Sequence, residues 1–417
     1  MMDTARLGVF GRPPFAAYWA GGTLSNAGTW LQAVAASVYV YDRTGSAFAV
    51  GILNFATFLP VLLFSVAGGV LSDRVDRRLI VVTTHGVSML LSLTLAALIA
   101  AGLATELHVI ALSFALQTSA TIAKPSLTAM LPGLVPRSEL SEAVGLNTLQ
   151  FLVGQLVGPL IAALVLATSG PAWAFAVNAL TYLGPIIAMA YLARLGLGGR
   201  TSEMRASGSS AISAPVSLTA YVRSQPWIVW VLAAVVSTSA ILEVIRTTAP
   251  VLVTQRLGAP SSDTGLIVAA QSLGSVLGIV AFVPLRRREL SRQIAAVGLV
   301  LQAVGLIVVS QSTSLPFAAL GVVAIGMGFS LCFPVVTATL QTEVPDAIRG
   351  RLMSVHQMAH LGNRPFTALA AGAVAASLGV PAACLAATLL VPLGLAAIRS
   401  AWRRLDAVTP EAAFAAE

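Results

Sequence analysis

Charge is what this sequence has least of. Asp, Glu, Lys and Arg make up only 10% of its 417 residues, where a soluble domain carries about a quarter. With 57% apolar residues and a mean hydropathy of +0.87, there is too little polar surface to face water. A soluble globule, a disordered chain and a collagen-like fibre are excluded, and a polytopic membrane protein remains. Lysine occurs once, as Lys124 followed by Pro125. No G-x-x-x-x-G-K-[ST] loop can therefore exist, and energy for uphill movement must come from elsewhere than a P-loop ATPase. The two cysteines, Cys332 and Cys384, sit inside apolar runs and read as small core residues, not a disulfide or half a metal site. The net charge of +8 is scattered between apolar runs, so the footprint of a nucleic-acid binder is missing.

Crossing the hydrocarbon as a helix takes about 20 apolar residues. Twelve runs qualify: 15–41, 47–71, 79–103, 107–132, 141–168, 171–193, 227–253, 264–285, 293–311, 315–340, 351–378 and 381–398. The first 14 residues hold Arg6 and Arg12 and no small-residue cleavage site, which predicts a retained first helix. With the N-terminus in the cytoplasm, 19 basic residues fall inside and two, Arg43 and Arg256, outside. The positive-inside rule expects that split, and an even helix count places both termini in the cytoplasm. Trp227, Trp230 and Trp402 near cytoplasmic ends and Trp173 near an outer end fit an interfacial belt.

One long polar stretch, 195–224, is rich in Gly, Ser and Arg and reads as a cytoplasmic linker. It separates a six-helix bundle at 1–194 from another at 225–404, and 405–417 reads as a disordered tail. The halves repeat each other. Pro125, Thr128, Val135 and Pro136 recur 209 positions later as Pro334, Thr337, Val344 and Pro345. The same shift carries Gly69 to Gly278, Arg77 to Arg286 and Arg78 to Arg287. A duplicated six-helix unit in parallel orientation points to a transporter with its substrate path between the halves.

Two motifs make the expectation specific. The loop after the second run reads G-G-V-L-S-D-R-V-D-R-R. It resembles the loop 2–3 signature of the major facilitator superfamily, with Gly69, Leu71, Asp73, Arg74, Arg77 and Arg78 matching and Asp76 standing where the family has Gly. The resemblance implies that Asp73 docks at the start of the eleventh helix as a cytoplasmic gate, where a helix N-terminus favours an anion. A cationic loop that merely sets topology is the alternative. The fifth run holds Gly154-x-x-x-Gly158-Pro159, followed by Ala162 and Ala163. It is similar to the superfamily's exporter signature with its last two glycines replaced by alanine. Small residues four apart let helix backbones approach, and the proline bends the helix; plain packing is the alternative reading. The stretches Y-W-A-G-G-T-L-S-N-A-G-T-W-L-Q and L-P-G-L-V-P-R-S-E-L resemble the branch of twelve-helix drug and siderophore exporters. Ala33 and Gln155 stand where many relatives have Arg, and Gln117 lies near the place of a fourth-helix Arg.

Ionisable groups within spans are costly, so each is a functional candidate. There are four: Lys124, Glu243, Arg246 and Arg364. The resemblance implies that helices 1, 4, 7 and 10 line a cavity while 3, 6, 9 and 12 face lipid, and the interiors of those last four runs carry no charge. Glu243 and Arg246 share a helix face at i, i+3, as a structural ion pair would too. His356, His360 and Arg364 form a polar stripe at spacings of four, and helix-packing histidines are the plain alternative. Asn147 and Gln155 are the repeat counterparts of His356 and Arg364. The stripe has the i, i+4 spacing of a zinc helix but lacks the Glu of H-E-x-x-H, so no metal and no cofactor is expected.

The expected protein is an all-α membrane transporter of twelve helices in two six-helix bundles. It sits in the inner membrane as a monomer and exports amphipathic small molecules in exchange for protons. Glu243 is the interior carboxylate that can carry a proton, with His356 and His360 as relays. Asn26, Trp30, Gln32, Gln117, Lys124, Arg246 and Arg364 are the cavity candidates. Three positive groups against one negative leave a surplus of two charges, which an acidic group on the substrate would compensate. Uptake of an organic anion is the alternative within transport, and an integral membrane enzyme using His356 and His360 is the alternative outside it.

Overall fold

The structure is a computed structural model and describes residues 8–199, 218–285 and 290–414. It is all-α, with no strand among the described residues. The first helices are α1 (Pro13–Thr44), α2 (Ala47–Arg74), α3 (Arg77–Ala100), α4 (Glu106–Met130) and α5 (Leu140–Thr168). Then come α6 (Pro171–Thr181), α7 (Leu183–Arg194), a short α8 (Leu218–Ser224) and α9 (Trp227–Val251). The last six are α10 (Thr264–Leu285), α11 (Ser291–Gln311), α12 (Leu315–Glu343), α13 (Asp346–Gly362), α14 (Arg364–Thr388) and α15 (Leu390–Phe414).

Helix covers every one of the twelve apolar runs, yet nine described stretches are long and apolar enough to cross a membrane by themselves. The last of these, Ile348–Leu405, holds the eleventh and twelfth runs together. Helices α1 and α4 fall outside the nine, because Asn26, Gln32, Gln117 and Lys124 dilute their hydropathy.

Several boundaries differ from expectation for identifiable reasons. The sixth run is broken at Tyr182 into α6 and α7. The eleventh is broken at Asn363, immediately before Arg364 and Pro365; proline has no N–H for the helical ladder, and the Asn363 amide donates to the Ala359 and His360 carbonyls at 2.5 and 3.1 Å. The turn between the eleventh and twelfth runs is a single residue, Gly379, at φ 84° and ψ 166°, a conformation that side chains rarely allow. Helix α15 continues through Phe414, into the stretch expected as a tail. Part of the expected linker, 218–224, is also helical, and its residues 200–217 lie outside the described ones.

The chain divides into two units. Unit 1 takes the described residues of Met1–Gly45, Ala56–Ala211 and Ser261–Ala269; unit 2 takes those of Ser46–Phe55, Ile212–Pro260 and Ala270–Glu417. In unit 1, α1 packs on α5, α6 and α7, while α3 packs on α4, α6 and α7. In unit 2, α9 packs on α12, α13, α14 and α15, and α11 packs on α12, α14 and α15. The first turns of α2 go with unit 2 because Gly51 lies against the backbone of Ala368 and Gly372. The first turns of α10 go with unit 1, where Gly265 meets the Pro159 carbonyl and Ala163. Repeated residues hold repeated places. Pro125 and Pro334 both lie inside helices, and Pro136 and Pro345 both stand at helix N-caps.

Candidate functional site

Unit 2 gathers the charged residues of the stripe and the pair. Arg246 follows Glu243 by one helical turn on α9, and its Nη1 lies 3.9 Å from Glu243 Oε2. The Arg246 Nε donates to Gln271 Oε1 at 2.8 Å, and Gln271 Nε2 donates to the Leu242 carbonyl at 2.9 Å. Glu243 is 1% exposed, and neither of its oxygens accepts a hydrogen bond among the described residues. The charges of Arg364 and Arg246 both act on it. One carboxylate thus sits under the field of two buried guanidiniums.

The histidines continue the string. His360 Nε2 lies 3.3 Å from Arg364 Nη2, and its Nδ1 is 2.7 Å from Ser239 Oγ on α9. The Phe333 ring is 4.5 Å from that of His360 and 5.3 Å from that of His356, and Phe329 stacks on both Phe333 and His360. His356 is 1% exposed, with Nε2 3.0 Å from Thr337 Oγ1. Spacings of three and four bring these groups together because such residues share a helix face. Gln271, Ser239, Phe329 and Phe333 are members that the sequence reading missed. A polar residue one turn before the charged pair was a usable signal for Ser239, and a glutamine inside an otherwise apolar run was one for Gln271.

In unit 1 the structure brings together some candidates and not others. Lys124 on α4 is exposed, with Nζ 5.9 Å from the centroid of the Phe151 ring on α5. Trp30 on α1 meets Phe151 edge-on at 6.1 Å. Asn26 is half-buried beside Gly154, and Gln117 is half-buried on α4. Gln32 is elsewhere. It is 7% exposed, and its Oε1 accepts from Asn178 Nδ2 on α6 and from Ser92 Oγ on α3 at 3.0 Å. Two residues beyond Trp30 it points about 200° away around the helix, into a buried polar knot completed by Tyr182 and Thr181.

The loop between α2 and α3 is built around Asp76. Asp76 caps α3 with φ −59°, accepting from Arg78 N at 2.8 Å, and Arg78 Nη2 closes on its other oxygen at 3.0 Å. No left-handed backbone is needed there, which explains why Asp can stand in the place of Gly. Arg77 is buried and donates to the Ala129 carbonyl at 2.9 Å. Asp73 and Arg74 are exposed at the end of α2. Gly69 has open space where a Cβ would go, whereas Gly68 lies against the backbone of Thr121 and Ile122 on α4. The Arg78 hydrogen bond holds the Asp76 carboxyl below its ordinary value. A depressed carboxyl stabilises above the unfolded value, near 4, and loses that contribution as pH falls through the lower folded value. Asp76→Ala should therefore cost about 1 kcal/mol at neutral pH. The ion pair adds little beyond the cap because it is partly exposed. Thermal melts of detergent-solubilised protein should show the gap between variant and wild type at pH 7 narrowing toward pH 3.

The Gly154–Gly158 motif lies where α5 crosses α1. A Cβ at Gly154 would stand 2.6 Å from Asn26 Cβ, and one at Gly158 would stand 2.5 Å from the Ala27 carbonyl. Ala162 and Ala163 are buried, and Gly265 opposite Ala163 supplies the room that the second residue does not.

Comparison with known proteins accounts for this arrangement. A sequence profile of the transmembrane secretion effector family matches residues 4–416. Macrolide efflux protein A of Streptococcus pyogenes is 29% identical over 178 residues, 42% of each chain. Enterobactin exporter EntS of Shigella boydii is 28% identical over 169 residues, 40% of each chain. The match thus spans about two fifths of the length of these curated relatives. Multidrug efflux pump Tap of Mycolicibacterium fortuitum is 26% identical over 401 residues, 92% of this chain and 93% of that one. Among solved structures, a peptide transporter POT in complex with sulfate superposes with a TM-score of 0.74 at 13% identity, covering 97% of this chain and 99% of that one. A bacterial homologue of the lysosomal transporter Spinster gives 0.72 at 13%, covering 94% and 98%. Each of these is a transporter, and the enzyme reading of His356 and His360 falls with them. The chain is a multi-pass membrane protein that belongs to the transmembrane secretion effector family of the major facilitator superfamily.

Proposed function

We propose that this protein exports amphipathic small molecules across the inner membrane in exchange for protons, as a monomer with both termini in the cytoplasm. The efflux names of its relatives support the direction, and the distribution of basic residues supports the orientation. The observation that carries the coupling is Glu243, a buried carboxylate with no hydrogen-bond donor among the described residues, under the charges of Arg246 and Arg364. Ionised, it leaves the three-residue cluster at one positive charge; protonated, it leaves two. Each proton taken up thus changes the charge that unit 2 must hold, and a change in differential stability is what shifts a two-state equilibrium. His360 stands between Arg364 and Ser239 as a relay. A proton entering across 100 mV releases about 2.3 kcal/mol, enough for roughly a 50-fold solute gradient. Asp73, Arg74, Arg77 and Arg78 with Gly69 are the cytoplasmic gate of this reading, and Gly154, Gly158 and Pro159 its packing motif.

Expression in a host stripped of its own efflux pumps should lower the steady-state content of an amphipathic fluorescent dye several-fold, and a protonophore should restore it. Higher dye content on expression would replace this reading with import.

A further inference from the structure

We propose that Gln271 is a positioning residue for the proton site: it aims the Arg246 guanidinium at Glu243 and so sets the charge that the carboxylate meets as it takes up or loses a proton. The role rests on the coupling reading of Glu243 and extends it to a neutral side chain on a second helix of unit 2.

Glu243 and Arg246 act on each other without a hydrogen bond. Arg246 Nη1 stands 3.9 Å from Glu243 Oε2, beyond hydrogen-bond range, and neither carboxylate oxygen accepts a hydrogen bond among the described residues. A Coulomb interaction remains, and it falls inversely with separation, so it is fixed only as well as the guanidinium is. A guanidinium is planar; an acceptor on Nε therefore fixes the plane and with it the direction of Nη1. Gln271 Oε1 is such an acceptor, at 2.8 Å. The other end of the amide is anchored as well, with Nε2 donating to the Leu242 carbonyl at 2.9 Å. That carbonyl lies four residues before Arg246, where it closes the helical turn with the arginine's own amide. Gln271 thus grips one turn of α9 at both ends and holds the side chain in register with its backbone. It is 1% exposed, so water does not compete for either bond.

A glutamine that only ties α9 to a neighbour has a different pattern. Gln302 on α11 is fully buried. Its Oε1 accepts from Thr238 Oγ1 at 3.1 Å and its Nε2 donates to the Thr238 carbonyl at 3.3 Å. Both bonds fall on one neutral residue, whereas Gln271 spends its acceptor on a charge. The internal repeat separates fold from function here. A shift of 209 positions carries Val34, Ser37 and Leu62 onto Glu243, Arg246 and Gln271. The first half lacks the ion pair and the glutamine alike, so Gln271 accompanies the charges and not the backbone that the halves share.

The other ionisable groups around the pair are few. Arg364 on α14 acts on both members. On α13, His360 contacts Arg364 and His356 lies one turn further on. The Cys332 thiol on α12 is beside Thr238. Helix α10 carries no ionisable residue, and those of α11 and α15 are Arg292 and the residues from Arg399 onward, at the helix ends away from the pair.

The experiment follows dye transport against pH by the full-length protein in proteoliposomes, with dye counterflow as the second readout. Gln271→Met fills the same space without an acceptor for Nε. It should displace the pH of half-maximal transport by at least about one unit, and continued counterflow shows that the variant is folded. Gln271→Asn, one methylene short of Arg246, is the second variant and should displace the profile too. Gln302→Met loses two buried bonds on α9 without touching the charges, and should keep the wild-type profile. A wild-type profile in both Gln271 variants, or an equal displacement in Gln302→Met, overturns the proposal; a flattened profile in Glu243→Gln then leaves the coupling reading standing. A profile unchanged in Glu243→Gln and Arg364→Ala alike overturns the coupling reading, and this role of Gln271 with it.

Discussion

Glu243→Gln is expected to abolish proton-driven accumulation gradients while leaving substrate exchange across the membrane intact. The neutral amide fills the same space but takes up no proton, so the variant is fixed on the protonated side of the proposed equilibrium. Inverted vesicles energised by a proton gradient should lose at least about tenfold of the roughly 50-fold gradient that one coupled proton can sustain. Counterflow of labelled against unlabelled substrate needs only alternation of the carrier, and should continue. That second readout separates lost coupling from a misfolded protein. The separation matters, since removing one member of a buried ion pair commonly costs about 3–5 kcal/mol. The wild-type pH dependence of efflux should flatten in the variant, and Glu243→Asp should retain it with an altered profile. Efflux at wild-type rate with an unchanged pH profile in both Glu243→Gln and Arg364→Ala would remove Glu243 from the mechanism.

The electrostatic argument also explains why Arg364→Ala should not mimic Glu243→Gln. Arg364 both acts on Glu243 and contacts His360. Its loss strips the carboxylate of one counter-charge and the imidazole of one neighbour at once. A truncation there disturbs the relay and the proton site together, whereas the Gln variant touches the proton site alone.

What the sequence revealed and what it hid follow from helix geometry. Long apolar runs are legible because no other segment can cross hydrocarbon with its backbone satisfied, and helix covers all twelve of them. The breaks at Tyr182 and Asn363 were not legible, since a mid-run interruption leaves the hydropathy unchanged; Pro365 was the available sign for the second. The unit 2 cluster emerged from spacings of three and four, which fix a common face. Gln32 and Trp30 were grouped because both are polar or amphipathic, although a separation of two puts them on opposite faces of α1, and Gln32 went to the knot with Asn178 and Ser92. Phe151 was invisible as one apolar residue in an apolar run. The repeat would have exposed it, because it stands 209 positions before His360.

The close crossing of α1 and α5 yields the largest expected effect on stability. At Gly158 an added Cβ would lie 2.5 Å from the Ala27 carbonyl, 2.6 Å from Trp30 Cβ and 3.1 Å from Leu31 N. Two of these neighbours are backbone atoms, and the third is a β-carbon fixed to its own helix, so none can swing aside. Lipid tails offer no hydrophobic drive for helices to associate, so the contact rests on close packing, and a side chain that wedges the helices apart removes it. Gly158→Ala should cost about 1–3 kcal/mol, the usual range for overpacking, and Gly158→Leu should exceed it. Thermal melts monitored by size-exclusion in detergent should show the Leu variant losing its monodisperse peak at the lowest temperature. Ala163→Gly should cost only about 1 kcal/mol, the helix-propensity difference, and less than the Leu variant, because it removes a methyl and wedges no helix apart. A Leu variant that melts with wild type would mean that α1 and α5 do not approach this closely, and Trp30 would then not be held against Phe151 by the same crossing.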